Sequence, residues 1–303
     1  MTGLAISSLT LSHFRSHKAQ RLSFDGRPVA LVGPNGAGKT NVLEAVSLLS
    51  PGRGLRRAAA EDLARRPEGL GWKIAAQVAG IAADHDIETG AEPGETRFVR
   101  LDGKHATQTA LGRVLRILWL VPSMDRLWIE AAEGRRRFLD RIALSFTPDH
   151  AEVSLAYDKA MRDRNRLLKD QVSDARWYAA LEAQMVDAGV AVIANRHAAL
   201  ARLVAAQESG SAFPQAGLSL TGPDGGADLA AEDLGAALAD GRRRDMAAGR
   251  TLAGPHRSDL RAVYAAKGVE AGQCSTGEQK ALLLGIILAH AEIIIRAPDR
   301  DFP

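Results

Sequence analysis

The stretch Gly33-Pro34-Asn35-Gly36-Ala37-Gly38-Lys39-Thr40, GPNGAGKT over residues 33–40, meets the phosphate-loop pattern at every fixed position. Its glycines let backbone N–H groups turn inward around phosphate oxygens. Lys39 brings a charge to the β and γ phosphates, and the Thr40 hydroxyl is a ligand for Mg²⁺. The apolar run Val29 to Val32 is expected as the strand that enters the loop, and Asn41 to Val46 as the helix that leaves it, with an N-terminal dipole that favours anions. A chance glycine turn would leave this order of strand, loop and helix without a cause. Each residue from Gly33 to Thr40 is therefore a candidate for nucleotide binding, and the loop alone does not choose the nucleotide.

Composition bounds what surrounds the loop. A chain of 303 residues, 46% apolar, is long enough for one large domain or two smaller ones. No apolar run approaches the roughly 18 residues needed to span a bilayer, and the start MTGLAISSLTLSHFRSH has no basic segment followed by a long apolar one. The expected location is cytoplasmic, without a membrane partner. One cysteine, Cys274, excludes an internal disulfide framework and an all-cysteine metal cage. The net charge of +3 is small, so only the local clustering of arginines speaks for nucleic acid.

Three textures follow along the chain. Residues 3–32 alternate in strand fashion through Leu4, Ile6, Leu9, Leu11, Leu22 and Phe24, with Asp25-Gly26 expected as a hairpin turn before Val29. Further strands are expected at Trp72 to Val78, Asp86 to Glu88 and Arg97 to Leu101, the last closing at Asp102-Gly103. From Leu127 to Gln207 the spacing becomes helical, through Tyr157, Met161, Arg164 and Leu168, then Trp177, Leu181, Met185, Ile193, His197, Leu200 and Val204. Residues 209–228, rich in Gly, Pro and Asp, read as loop, and apolar content rises again after Ser275.

Ser275-Thr276-Gly277-Glu278-Gln279-Lys280 opens that last apolar stretch. Alone, Ser275 and Glu278 make a capping box, which is an ordinary helix start. Beside a phosphate loop, the same residues look like an ATP-binding-cassette head, in which such a helix start is the signature that binds the γ-phosphate held by the opposite subunit. Ser275, Gly277, Glu278 and Gln279 are the candidates for that contact in trans, and a helix N-terminus with a small hydroxyl and a glycine is physically suited to an anion.

Further blocks occur in order: Phe14-Arg15, RRRFLDR over Arg135–Arg141, Tyr157 with RNRLLK over Arg164–Lys169, and GPHRSDL over Gly254–Leu260. Together they resemble the RecF family of bacterial recombination-mediator proteins across nearly all of residues 3–292. The resemblance implies an α/β fold, an ATP-binding-cassette/SMC-like P-loop head with a β-rich N-terminal part and an inserted, mostly helical lobe. It also implies ATP and Mg²⁺ as cofactors and an ATP-dependent homodimer that binds DNA at single-stranded/duplex junctions and helps load RecA through RecR and RecO.

One part of that pattern departs. In the family the signature helix is followed by a short apolar run ending in Asp-Glu, then a D-loop and a last β/α segment. Here Ile293-Ile294-Ile295 is broken by Arg296, and the chain ends eight residues after Ile295 with Asp299 and Asp301 as its remaining acids. Neither directly follows an apolar strand, so no catalytic residue is assigned. The expectation is a family member whose C-terminal part is lost, through a shifted reading frame or a wrongly ended gene; a naturally short variant is the alternative. Such a chain would bind ATP weakly, hydrolyse it near background, and expose a sheet edge and the apolar stretch Leu282 to Leu288 to aggregation.

The compact basic clusters Arg53, Arg56, Arg57 and Arg135, Arg136, Arg137 are candidates for DNA phosphates, with solvated surface as the bland alternative. Arg242-Arg243-Arg244 lies in a weakly patterned region where surface is the simpler reading. His256 and Asp259 lack metal-ligand partners at useful spacing and are expected near the nucleotide or the DNA face. Cys274 reads as a small apolar residue at a helix start. Aromatic residues, at 5%, are too few for a base-stacking platform, which favours duplex-backbone contact. A P-loop small-molecule kinase is the competing class, but it would need an arginine-rich lid and no signature helix; a non-hydrolysing ATP-binding clamp is the competing reading within the family. The expected organisation is a head from residues 1–122 and 250–303, with 123–249 inserted as a helical lobe.

Overall fold

Leu9 and Leu11, two apart on the first strand, are fully buried, which is the alternation that the sequence shows there, and Phe14 at the strand's end joins the same core. The computed structural model describes residues 4–66, 68–80, 83–208 and 212–296. Packing divides them into one unit up to Trp119 and another from Leu120 onward.

Among its described residues the first unit is a six-stranded sheet with one α-helix and short 3-10 turns. Its strands are β1 (Ala5–Phe14), β2 (His17–Ser23), β3 (Trp72–Ala79), β4 (His85–Ala91), β5 (Phe98–Leu101) and β6 (Lys104–Ala106), in the order β2-β1-β3-β4-β5-β6 and antiparallel throughout. Asp102-Gly103 closes β5 on β6 as expected. Both residues have positive φ, 51° and 77°, the conformation that suits a two-residue hairpin to the twist of its strands. Helix α1 (Lys39–Ser47) buries Val42 and Ala45 in the core with Leu9, Ile74 and Ile87, and burying one such large aliphatic side chain contributes about 2 kcal/mol.

Two local expectations are corrected. The hairpin turn of β1 and β2 is Arg15-Ser16, since Phe14 pairs with His17, and at Asp25-Gly26 the chain makes no hairpin, only a bend at Gly26-Arg27. Val29 to Val32 is not in a strand: among the described residues no strand pairs with it, and Val29 and Val32 are 56% and 91% exposed. An apolar run acquires β structure only where a partner ladder takes up its backbone groups, which the sequence of the run does not encode.

The second unit contains α2 (Ala132–Phe146), α3 (His150–Lys169) and α4 (Ala175–Gln207), the last 33 residues and therefore roughly 50 Å long. The sheet β7-β8-β9 (Ala216–Thr221, Asp259–Tyr264, Val269–Glu270) follows, with α5 (Leu234–Asp240), α6 (Arg242–Ala248) and α7 (Thr276–Arg296). Phe138, Leu139 and Ile142 of α2, Leu200 and Leu203 of α4, Leu260 of β8 and Leu282, Leu283 and Ile286 of α7 form one core. Strand β7 lies inside the stretch read as loop, because Leu218 and Leu220 find that core behind polar turn residues. The expected exposure of Leu282 to Leu288 is also corrected: Leu282, Leu283 and Ile286 are fully buried, and Leu288 is the large side chain of that stretch left exposed. On α4 the periodicity holds for Met185, Ile193 and Leu200, while Trp177 is exposed and its neighbour Tyr178 is buried instead.

Packing thus groups residues 250–296 with the helices, whereas the sequence reading grouped them with the phosphate loop. Ile293-Ile294-Ile295 closes α7 as helix. Asp299 and Asp301 lie outside the described residues.

Candidate nucleotide site and the polar hub

The phosphate loop is built around three glycines with positive φ: Gly33 at 155°, Gly36 at 84° and Gly38 at 87°. Gly38 caps α1, its carbonyl accepting from the Asn41 and Val42 amides at 2.9 and 3.1 Å. A Cβ there would lie 2.6 Å from His17 Nε2 and 2.8 Å from Ser16 Oγ, so conformation and space both require glycine. His17 Nε2 sits 3.2 Å from the Gly38 carbonyl, and Asn41 Nδ2 donates to Ser16 Oγ at 2.8 Å. The β1–β2 turn is in this way fastened to the start of α1. Lys39 Nζ donates to the carbonyls of Gly33 and Pro34 at 2.5 and 2.8 Å, which keeps the ammonium on the loop itself. Residues 33–37 and Thr40 are exposed, so the loop amides, Lys39 and the Thr40 hydroxyl fit a phosphate chain with its Mg²⁺.

Behind the loop, Glu44 of α1 is fully buried and carries two arginines. Arg15, in a left-handed conformation at the hairpin turn (φ 54°), donates Nε and Nη2 to it at 2.9 and 2.7 Å; Arg56 donates Nη1 at 3.0 Å and also reaches Asn41 Oδ1 at 2.9 Å. Arg56, a candidate for DNA, therefore serves the helix of the phosphate loop as well, while Arg53 and Arg57 are exposed. Sequence reading missed Arg97. It donates to the carbonyls of Leu48, at the C-terminal cap of α1, and of Gly52 (2.6 Å), and to Thr89 Oγ1 (2.7 Å), and burial lowers its pKa to about 10. A guanidinium at the negative end of a helix dipole stabilises that end. The signal for it, an arginine directly before a short apolar strand, is too common to read.

In the second unit the signature residues form the capping box that their spacing allows. Ser275 donates its amide and its hydroxyl to Glu278 Oε2 at 2.9 and 2.8 Å. Lys267 pairs with the same carboxylate, and this pair, with the Ser275 bonds, holds Glu278 at about 2. The Gln279 side chain is buried and donates to the Cys274 carbonyl at 2.9 Å, while Trp128 Nε1 donates to the Gln279 carbonyl at 3.3 Å. Ser275, Thr276 and Gly277 are exposed. A Cβ on Gly277 would meet nothing within 4 Å, so no packing within the chain calls for glycine there.

The remaining motifs converge on one polar hub. Arg135 binds Asp259 through two bonds of 2.7 and 2.8 Å, Arg136 donates to the Ser258 carbonyl at 2.9 Å, and Arg137 pairs with Glu133 within α2. Two of the three arginines proposed for DNA thus bind the GPHRSDL segment. Burial would raise the Asp140 carboxyl, but His150 at 3.1 Å and Arg196 at 2.7 and 3.0 Å outweigh it and hold Asp140 at about 2. Tyr157 OH lies 2.7 Å from His256 Nδ1, and Thr251 O lies 3.1 Å from His256 Nε2. Burial, with help from nearby arginines, lowers His256 to about 4, and burial pushes Tyr157 above the usual tyrosine range. Arg164, without exposed surface, joins Glu182 (3.1 Å), Asp245 (2.6 Å) and Thr251 (2.8 Å), while Asn165 takes the Thr251 amide at 2.7 Å. Arg242 of α6 pairs with Glu182.

Arg196, Glu182, Asp245 and Thr251 are hub members that sequence reading missed. Arg196 leaves a trace, being a charge between Ile193 and Leu200 on the buried stripe of α4. His256 and Asp259 are spent on Tyr157, Thr251 and Arg135, and among the described residues no group of three or more His, Cys, Asp or Glu could hold a metal ion.

The family model described as the RecF/RecN/SMC N terminal domain matches residues 5–298. The chain is 46% identical over 303 residues to the DNA replication and repair protein RecF of Rhizobium etli (strain CIAT 652), covering 96% of this chain and 81% of that one. It is 47% identical over 301 residues to the protein of the same name from Rhizobium rhizogenes (strain K84 / ATCC BAA-868), covering 95% and 80%. The fold is similar to the solved structure of the recombination mediator protein RecF with ATP in the RecFOR pathway, with a TM-score of 0.86 at 22% identity, over 97% of this chain and 82% of that one.

Proposed function

This chain belongs to the RecF family, and on that basis we propose that it is an ATP-dependent DNA-binding protein of replication and recombinational repair. Two chains bind ATP between the phosphate loop of one and the signature helix start of the other, and the dimer engages DNA at gaps to help RecA loading with RecR and RecO. The observation that carries this reading is the pairing of two exposed half-sites in one chain, the cradle at Gly33–Thr40 and the helix start at Ser275–Gly277. Gly277 supports it, because a glycine with no neighbour within the chain suits close approach by an outside group.

Each residue then has a physical task. Loop amides take phosphate oxygens and Lys39 leaves the Gly33 and Pro34 carbonyls to pair with the β and γ phosphates. Thr40 is the ligand for Mg²⁺, which when bound offsets the phosphate charge. Ser275 and the first amides of α7 meet the γ-phosphate from the partner. A nucleotide titration tests the cradle: Lys39→Ala should lose most ATP affinity, and an affinity equal to the parent's would remove this loop as the site.

A second reading within the family is an ATP-binding clamp without turnover. It differs from a hydrolysing switch in the acids at the end of an apolar strand, and Ile293–Ile295, being helical, is not that strand. Activation of water and ordering of Mg²⁺ each need such acids, and losing one commonly costs on the order of two to four powers of ten in rate. Hydrolysis by this chain at background would support the clamp; robust, Lys39-dependent hydrolysis would contradict it.

A further inference from the structure

Glu278 already holds the donors that a γ-phosphate would use at Ser275. Its Oε2 accepts from the Ser275 hydroxyl at 2.8 Å and from the Ser275 amide at 2.9 Å, and a hydroxyl has a single proton to give. The carboxyl is ionised, its pKa held at about 2. Lys267 takes the other oxygen, Oε1. The hairpin of β8 and β9 presents this lysine: Val263 pairs with Glu270 and Tyr264 with Val269, and the Lys267 and Gly268 amides donate to the Tyr264 carbonyl at 3.0 and 2.9 Å. Gly268, at φ 65°, makes the turn, and the ammonium lies 5.2 Å from the centre of the Tyr264 ring. Other cations of these segments are engaged elsewhere, Lys280 with Asp125 and Arg261 with Glu270.

We infer that Lys267 is a positioning residue of the signature half-site: it holds and neutralises the Glu278 carboxylate, so that Ser275 and the first amides of α7 can turn to a γ-phosphate. This role rests on the trans site proposed above and adds to it a residue outside the signature motif. A carboxylate left without its cation would compete for the Ser275 hydroxyl and repel the phosphate. Two like charges about 4 Å apart in water already weaken an encounter about fivefold. The bland alternative is a surface pair that only steadies the helix start, and the two readings separate at Glu278→Gln. Glutamine also closes a capping box, but it breaks the ion pair and removes the charge.

The experiment measures ATP-driven association of the full chain by sedimentation velocity over a concentration series, for the parent, Lys267→Ala, Glu278→Gln and the double variant. ADP affinity and melting are followed beside it. Lys267→Ala should weaken association with ATP by about fivefold or more. Its ADP affinity, which rests on Gly33–Thr40, and its melting should stay with the parent's, because an exposed ion pair contributes little to stability. Glu278→Gln should associate at least as well as the parent, and in that chain Lys267→Ala should cost no more than about twofold. Equal association of Lys267→Ala and a parent that dimerises would overturn the role of Lys267 and leave the trans site standing. A Glu278→Gln chain as weak as Lys267→Ala would overturn it too, as the mark of a pair that only steadies the helix. A parent that stays monomeric with ATP would remove the trans site, and this role with it.

Discussion

Lys39 and Thr40 stand side by side and should fail differently. Lysine contributes a charge to the phosphates and threonine only a metal ligand, so Thr40→Ala should retain much of its ATP affinity and lose its dependence on Mg²⁺. Titrations of ATP with and without Mg²⁺ separate the two. Glu44 has the opposite character, serving phosphate binding only through the scaffold. Removing this buried carboxylate takes their shared partner from Arg15 and Arg56, both of which water can reach, so Glu44→Ala should lower stability by about 1 to 3 kcal/mol, read by denaturant unfolding. His256 gives a pH signature. Its folded value of about 4 lies below the unfolded value of about 6.5, so the unfolded chain binds the proton first. The stability it contributes is complete above about pH 6.5 and is lost as pH falls towards 4, amounting to about 3 kcal/mol at most. Unfolding curves across that window should flatten in His256→Gln; an equal slope in both proteins would mean that another group titrates there.

At the scale of elements, the start of α1 is the joint on which the proposed nucleotide binding depends. The β1–β2 turn, Gly38 and the first turn of α1 touch through His17, Ser16 and Asn41. Gly38→Ala, which asks for a left-handed alanine 2.6 Å from an imidazole, should lose ATP binding and lower the melting temperature together. Elements whose cause is local were legible: β3, β4 and β5 from alternation, the Asp102-Gly103 hairpin from its turn residues, and α2 to α4 from period. Val29–Val32 and β7 were not, because pairing with distant segments decides them. The loop Gly33–Thr40 was legible as a pattern, and the positive φ of Gly33, Gly36 and Gly38 gives it the turn that the pattern asks for. RRRFLDR and GPHRSDL were visible as blocks, but that Arg135 meets Asp259 and Tyr157 meets His256 follows from the packing of α2 and α3 against the loop. The basic cluster Arg135–Arg137 was legible for the same reason only as a cluster, without its bonds to Asp259 and Ser258.

At the scale of the whole molecule, the proposed function rests on two half-sites that one chain displays and two chains would complete. ATP bound between subunits favours the dimer by mass action, so sedimentation with and without ATP should show nucleotide-dependent association. Neutralising the exposed Arg53 and Arg57 should weaken duplex binding alike for all sequences and flatten its salt dependence by roughly 0.9 per lost contact. The central claim is that ATP is sandwiched in trans. Its most direct test is complementation by sedimentation velocity with ATP, using Lys39→Ala, Ser275→Arg and a one-to-one mixture of the two. Each variant alone should stay monomeric with ATP, the first for want of nucleotide and the second for want of a partner surface. The mixture should recover dimer, because one composite site pairs the intact loop of the Ser275→Arg chain with the intact signature of the Lys39→Ala chain. A mixture that remains monomeric while the parent dimerises, or a Ser275→Arg chain that dimerises like the parent, would contradict the account.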